Sequence, residues 1–184
     1  VARADVSVLI EQMGSTTNTM ALQAVTLLQE KLAFQDGSLH GANLQGANLA
    51  QARLASADLT GVQLQGADLQ HVYFGSTTLK NADLSESNLQ HANLRDAHLE
   101  GATLTGADLA QAHMADTHLN DADCSRASFQ GANLWGAQLQ GTNLTDANLS
   151  GANLTNVAFD DATILPDGSK WTADTDLTHY TKTG

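Results

Sequence analysis

Residues 41–70 read GANLQGANLAQARLASADLTGVQLQGADLQ, and the leucines in this stretch recur every five residues. The period extends in both directions, so that all 26 positions at this spacing from Leu39 to Ile164 hold an apolar residue. Twenty of them are leucine, and the other six are Phe74, Met114, Cys124, Phe129, Phe159 and Ile164. A small residue, most often alanine, lies two positions before each one. We therefore expect one continuous core that is built from all 26 positions.

A five-residue period fits neither a continuous helix nor a continuous strand. Five residues rotate by about 140° on an α-helix, so the leucines would spiral around every face. On a strand an odd period sends successive leucines to opposite faces. Alanine and leucine, being two apart, can point the same way over a short extended segment, and the glycine or polar pair that follows can form a turn. The period thus predicts a coil with small residues and leucines inside and polar residues outside.

This pattern resembles the pentapeptide-repeat family, whose consensus is A(D/N)LXX and whose members are abundant in cyanobacteria. The resemblance covers about residues 37–166. It implies an all-β repeat solenoid, a right-handed quadrilateral β-helix with four pentads in each coil. The 26 pentads would then make about 6.5 coils, with residues 20 apart stacked in columns, and a rod roughly 30 Å long at about 4.8 Å per coil.

The period is missing at the two ends, which divides the chain into an N-terminal helical cap (1–36), the repeat region (37–166) and a C-terminal capping tail (167–184). Apolar spacing predicts a first amphipathic helix from Val6, Leu9, Ile10 and Met13. A second helix is predicted over about 17–32. Its apolar face is expected to comprise Met20, Ala24, Leu27 and Leu28, with Ala21, Val25 and Leu32 alongside.

This helical hairpin would cover the open end of the core, because repeat stacks need capping elements at their ends. Beyond the repeat, Leu165-Pro166-Asp167-Gly168 predicts a turn. We expect the tail through Trp171, Leu177 and Tyr180 to fold over the last coil, and we expect helices only before residue 35.

Composition excludes several classes of function. Eight Lys and Arg against 20 Asp and Glu give a net charge of −12, so direct nucleic-acid binding through a basic surface is not expected. A single cysteine excludes a disulfide framework and a cysteine-based zinc site within one chain. No apolar run approaches the roughly 18 residues of a membrane span, and no signal-peptide pattern opens the chain. We expect a cytoplasmic protein, although a first residue of Val leaves room for an upstream anchor or signal.

The acidic charge is concentrated on one side of the predicted rod. Naming each face by its first leucine, the Leu39 and Leu44 faces carry −7 between them. The acidic residues singled out there are Asp83, Glu86, Glu100, Asp121 and Asp123. Some family members imitate DNA and bind DNA gyrase, so the resemblance implies an alternative function as an acidic DNA mimic acting on gyrase or topoisomerase.

Charge density argues against the mimic. Duplex DNA as long as this rod carries about 18 charges, whereas the repeat region has a net charge of −9. The loop insertions and the dimer-forming C-terminal helix of the gyrase-binding members are also missing from this sequence. In the preferred interpretation, acidity keeps a leucine-rich protein in solution.

The Leu54 face is electrically neutral and carries outward-pointing aromatic and arginine side chains. These are Arg53, Tyr73, Arg95 and Trp135. Because an exposed tryptophan can anchor a partner, this face is the preferred binding candidate. We expect a non-enzymatic, rod-shaped scaffold or protein–protein interaction module that binds a protein partner. The sequence specifies neither that partner nor the oligomeric state.

Histidines stack in two predicted columns, His98 with His118 and His71 with His91. Paired imidazoles can bind a metal ion, but a site needs three or four ligands and spacing provides no third one. We therefore expect an exposed histidine ladder, with no metal and no cofactor. Cys124 lies in a leucine column and should be buried. No catalytic motif is visible, and a leucine-filled interior leaves no cleft, so we do not expect an enzyme.

Overall fold

A computed structural model describes residues 5–31 and 33–182 of the chain. Two helices come first, α1 (Val6–Met13) and α2 (Asn18–Glu30). Helix α1 begins where the carboxylate of Asp5 accepts a hydrogen bond from the Ser7 N–H, an N-cap interaction. A four-residue helix, α3 (Thr178–Thr181), lies in the tail. The expectation that helices occur only before residue 35 is therefore wrong.

Residues 41–158 form a solenoid of four short extended segments per coil. Each segment makes an isolated parallel bridge instead of a long strand, and twenty successive bridges join residues 20 apart, from Asn43–Gln63 to Gln138–Ala158. At each bridge, the earlier coil donates a backbone hydrogen bond to the next coil and accepts one from it. For example, the Leu44 N–H donates to the Gln63 carbonyl at 2.8 Å and the Gln63 N–H donates to the Ala42 carbonyl at 2.9 Å. The predicted columns of residues 20 apart are thus present.

Each corner of the coil requires a left-handed backbone. The residue two places after each leucine has a positive φ at all 24 such positions from Gly41 to Asn156, and ten of these residues are glycine. Glycine adopts this region without steric cost, and Asn and Asp tolerate it better than most other residues. The turn is closed by bonds such as that from the Ala47 N–H to the Leu44 carbonyl at 3.0 Å.

The interior is a ladder of leucine and alanine side chains that are almost completely buried. Threonine replaces alanine at a few of the small positions, and its hydroxyl then donates to a leucine carbonyl one coil away. Thr77 bonds to Leu54 at 2.7 Å and Thr117 bonds to Leu94 at 2.8 Å. A buried hydroxyl is tolerated there because it is hydrogen-bonded.

The register shifts by one residue in the last coil. Asn143 bridges Ile164, which is 21 residues away instead of 20. Thr163 occupies the buried small position and Leu165 the buried leucine position, while Ile164 is half-buried between them. The prediction that Ile164 is the last core leucine equivalent is wrong, because one extra residue follows Phe159.

Asp160 compensates for this shift. In the regular coils a corner N–H donates to a carbonyl 19 residues ahead, as Gly136 does to Thr155 at 3.0 Å. At Gly141 the N–H donates instead to the Asp160 carboxylate, at 2.8 Å. That carboxylate also accepts from the backbone N–H and the hydroxyl of Thr163.

The N-terminal helices cover the first coil with a face that differs from the predicted one. Leu9 and Met13 of α1 are fully buried. On α2 the buried residues are Ala21, Ala24, Val25 and Leu28. Met20 and Leu27, predicted to lie on that face, are 47% and 42% exposed, so this part of the prediction is wrong. Leu32 lies outside the described residues.

Candidate functional site

On the Leu54 face, Arg53 and Tyr73 form a direct contact between neighbouring coils. They are bridged through their backbones, and the guanidinium carbon of Arg53 lies 5.9 Å from the centre of the Tyr73 ring. This distance is within the range of a cation–π interaction. Tyr73 nevertheless remains 49% exposed. The guanidinium therefore lies over one face of the ring, and much of the ring is free to meet a partner.

Tyr73 lines several grooves that are open to solvent, and two of them extend the Leu54 face to further residues. The first, of about 480 Å³, runs between α2 and the first coils and is lined by Leu22, Gln51, Arg53, His71 and Tyr73. The second, of about 370 Å³, continues along the rod and is lined by His71, Tyr73, His91, Asn93 and His113. Arg53 and Tyr73 were predicted for this face, whereas Leu22, Gln51 and Asn93 were not, and Leu22 joins the face only through the placement of α2.

The other two predicted residues of this face lie further along the rod. Arg95 is close to acidic neighbours, with Nε 3.6 Å from Asp96 Oδ2 and Nη2 4.0 Å from Asp116 Oδ2. Trp135 is 43% exposed, as predicted for an outward position. It lies three coils beyond Tyr73, a separation of about 14 Å along the axis. The structure thus brings Arg53 and Tyr73 together but keeps Trp135 separate from them.

Two carboxylates of the acidic faces are engaged by neighbouring polar side chains. Partial burial acts to raise the pKa of Asp83, but hydrogen bonds from Ser85 and Gln65 outweigh it and hold that pKa below its ordinary value. The same balance holds at Asp123, where the hydrogen bonds come chiefly from Ser125. These two carboxylates stabilise the columns of the solenoid as well as carrying charge outward.

The remaining predicted acidic residues are arranged differently. Glu100 lies 3.2 Å from the Lys80 ammonium and 3.0 Å from His98 Nδ1. Partial burial acts to raise its pKa, and the bonds from His98 and Lys80 hold that pKa below its ordinary value. Glu86 and Asp121 occupy corner positions with positive φ. The five acidic residues are therefore dispersed, and a cationic side chain contacts one of them.

The histidines stack as their columns predict. The rings of His98 and His118 have centroids 4.4 Å apart, and those of His71 and His91 are 4.9 Å apart. Spacing alone provided no third ligand for either pair. The structure places Glu100 beside the first pair, so that His98, Glu100 and His118 each have one potential ligand atom within 4.8 Å of the other two.

Cys124 is fully buried in its leucine column, as predicted. Burial, and after it the charge of Asp123, raise the pKa of the thiol far above its ordinary value. Because the thiolate is the reactive form of cysteine, this side chain fills the core and does not act as a nucleophile.

No helix among the described residues has the length and apolar character to cross a membrane.

Comparison with known sequences identifies the repeat. The family model described as Pentapeptide repeats matches in 8 copies, over residues 38–75, 67–106, 82–121, 97–136 and 122–161. No curated protein matches the chain.

Several solved structures are similar to this chain. A pentapeptide repeat protein of the Arabidopsis thaliana thylakoid lumen is 32% identical, with 55% of this chain and 69% of that chain covered and a TM-score of 0.48. HetL, a pentapeptide repeat protein involved in heterocyst differentiation regulation from the cyanobacterium Nostoc sp. strain PCC 7120, is 30% identical, with coverages of 71% and 75% and a TM-score of 0.35.

A trypsin-treated form of QnrB1, a plasmid-mediated fluoroquinolone resistance protein, is 18% identical, with coverages of 70% and 71% and a TM-score of 0.51. At that identity the likeness concerns the fold alone. This likeness in fold agrees with the 20-residue coil, with the positive φ of the corner residues and with the matched repeats. The chain belongs to the pentapeptide repeat family, and its fold is the right-handed quadrilateral β-helix of that family.

Proposed function

We propose that this protein is a non-enzymatic, rod-shaped interaction module that binds a protein partner through its Leu54 face. The observation that carries the proposal is the half-exposed Tyr73 ring, which lies beside the Arg53 guanidinium and lines two grooves. Tyrosine, tryptophan and arginine are the residue types that most often dominate the binding energy of protein interfaces. A preorganised aromatic side chain also loses little conformational freedom when a partner binds.

The rest of the solenoid supports a binding role instead of catalysis. Leucine and alanine fill the interior, whereas catalysis needs a concave site that excludes water. The two grooves on the Leu54 face are open to solvent. They can receive the side chains of a partner's surface, with Tyr73 as the central contact and Trp135 as a second, separate one.

The acidic DNA mimic is the alternative function. Its support is the charge of −7 on two adjacent faces, but some of these carboxylates bond to neighbouring side chains, and Glu100 contacts Lys80. A supercoiling assay with DNA gyrase separates the two functions. We expect no inhibition at micromolar concentration, and inhibition would favour the mimic.

The direct test is capture of partners from a lysate of the source organism, with wild-type protein, Tyr73→Ala and Trp135→Ala as baits at low and high salt. Met20→Ala is the matched control, because Met20 is equally exposed but lies on α2. Loss of a hot-spot side chain costs about 2 kcal/mol or more, which is roughly 30-fold in affinity. We expect Tyr73→Ala to lose a partner that Met20→Ala retains at both salt concentrations. Recovery of the same partners by every bait, with all of them lost at high salt, would assign binding to the acidic faces.

A further inference from the structure

The group formed by His98, Glu100 and His118 lies on the Leu39 face, where it joins two successive coils. The two histidines are bridged through their backbones, and their rings are stacked with an interplanar angle of 13°. Glu100 is two residues after His98, on the same side of the same coil. This is the one group of at least three His, Cys, Asp or Glu side chains with mutually close ligand atoms that is found in residues 5–31 and 33–182.

The donor types match a borderline transition-metal ion. Two imidazole nitrogens and one carboxylate oxygen are a common three-residue ligand set of zinc, with water in the fourth position. Zinc–ligand bonds of about 2.0–2.1 Å in tetrahedral geometry place neighbouring donor atoms about 3.3 Å apart. His98 Nδ1 and Glu100 Oε1 are already 3.0 Å apart. The other pairs of ligand atoms lie within 4.8 Å of each other. Small torsional changes of these partly exposed side chains can shorten those distances to the about 3.3 Å that a tetrahedral site needs.

Glu100 also has an unused ligand atom. Its Oε1 contacts His98 and the Lys80 ammonium. Its Oε2 is shielded from solvent and has no hydrogen-bond partner among the described residues. A shielded carboxylate oxygen without a partner is energetically unfavourable. A cation that the Glu100 carboxylate binds through both of its oxygens would contact Oε1 beside His98 and would also give Oε2 a partner.

We propose that His98, Glu100 and His118 form a binding site for a divalent transition-metal ion, with Zn²⁺ as the favoured ion. The ion would link two neighbouring coils through His98 and His118, and Glu100 would supply the third protein ligand. The site is on a different face from Tyr73 and does not depend on the proposed partner. Because the ion binds the folded chain, it stabilises the solenoid by an amount that grows with the ratio of free ion concentration to the dissociation constant.

The second histidine pair provides a matched control within the same molecule. His71 and His91 are stacked with an interplanar angle of 5°, but no carboxylate completes a three-ligand group with them among the described residues. If stacked histidines alone were sufficient, the two pairs would bind zinc equally. If the carboxylate matters, only the His98–His118 pair will bind it tightly.

The experiment is a zinc titration of metal-free full-length protein in competition with a chromogenic chelator. The variants are His118→Gln, Glu100→Gln and, as the control, His91→Gln. The same columns of the solenoid already hold glutamine, one coil beyond His118 at Gln138 and two coils beyond Glu100 at Gln140, so the first two variants should fold. Circular dichroism and the melting temperature without metal verify this.

We expect one Zn²⁺ per chain with a micromolar or tighter dissociation constant. His118→Gln and Glu100→Gln should each weaken binding by at least about tenfold, since even changes to groups around the ligands cost that much. His91→Gln should bind like the wild type. Zinc should raise the melting temperature of the wild type and His91→Gln only, and Co²⁺ should give a visible d–d absorption in the same two proteins.

Two results would overturn the proposal. One is the absence of binding below about 100 µM in the wild type. The other is equal weakening by His91→Gln and His118→Gln, which would mean that zinc binds histidines nonspecifically.

Discussion

The two ends of the solenoid are closed in physically different ways. At the N-terminal end, α1 and α2 bury Leu9, Met13 and Leu28 completely against the first coil. At the C-terminal end, Leu154 and Phe159 of the last coil stay half-buried. The tail covers this end with Trp171, whose ring is 5.8 Å from that of Phe159, and with Tyr180, which packs against the core. One end is thus closed by a packed apolar layer and the other by a loosely packed tail.

Backbone hydrogen bonds join both ends to their flanking segments, so the contrast lies in the apolar packing. The first coil lacks a preceding coil, and segments next to the helices supply the missing acceptors. The Asn48 N–H donates to the Ser15 carbonyl and the Asp58 N–H donates to the Phe34 carbonyl. The last coil is also bonded to the tail: the Gly151 N–H donates to the Thr181 carbonyl at 2.8 Å, the Leu165 N–H donates to the Ser169 carbonyl at 2.8 Å, and the Thr163 carbonyl accepts from the Trp171 N–H at 3.0 Å.

The contrast matters because each coil of a repeat protein contacts only its neighbours, so stability is local. The end with fewer buried apolar contacts should open first. We therefore expect the solenoid to fray from the C-terminal end.

The largest expected effect tests the packed N-terminal end. Leu28→Ala should reduce the free energy of unfolding by about 2–5 kcal/mol, because it leaves a cavity between α2 and the first coil. The neighbouring Leu27 is 42% exposed, so Leu27→Ala should change it by less than about 0.5 kcal/mol. Urea denaturation followed by circular dichroism measures both. Equal effects would mean that α2 packs against the first coil through Leu27 as much as through Leu28.

The next effect tests the C-terminal end. Trp171→Ala should cost about 1–2 kcal/mol, less than a fully buried aromatic residue, because the residue is only half-buried and its ring stacks on Phe159. Trp135→Ala is the matched control and should be nearly neutral for stability. Thermal denaturation compares the two variants. A cost at Trp171 as large as that at Leu28 would remove the difference between the ends.

The regular coils could be predicted well from sequence, for a physical reason. Every pentad repeats one local geometry, so counting in steps of 20 places Cys124 in the core, stacks His98 on His118 and turns Trp135 outward. None of these predictions needs knowledge of a distant part of the chain.

The irregular parts could not be predicted in the same way. At Thr163-Ile164-Leu165 the apolar pattern allows either Ile164 or Leu165 to occupy the core position. Counting in steps of five predicts Ile164, whereas the Asp160 side chain stabilises the register that buries Leu165. Helix α2 carries two apolar stripes, so composition did not distinguish Leu27 from Val25. The third ligand beside His98 was missed because Glu100 lies in a different column from the histidines.

A smaller effect tests the polar contacts of the N-terminal end. The Asn18 amide of α2 donates to the Asn48 side chain at 3.0 Å and to the Ala50 carbonyl at 3.0 Å. Asn18→Ala should cost about 1 kcal/mol, the usual net value of a hydrogen bond, and it should leave the C-terminal end unchanged. Gln23→Ala, at an exposed position of the same helix, is the control. If both variants unfold at the same urea concentration as the wild type, the apolar layer alone holds the helices.

The smallest effect is an acid-dependent loosening of the C-terminal end through Asp160. The hydrogen bond from the Gly141 N–H is the main cause that holds the pKa of Asp160 below its ordinary value, with Thr163 adding to it. Because the pKa is lowered in the folded state, the stabilisation is complete above the ordinary value of about 3.9. It is then lost as the pH falls through the lower, folded pKa.

Trp171 reports this opening in a Trp135→Phe background, where acrylamide quenching follows one tryptophan. Quenching should increase as the pH is lowered from about 5 to about 2. Asp160→Asn retains an acceptor oxygen without the charge, so its increase should be smaller but not zero, because Asp167 and Asp176 in the tail also have lowered pKa values. Identical quenching curves for the two proteins would show that Asp160 does not link the shifted coil to the regular ones.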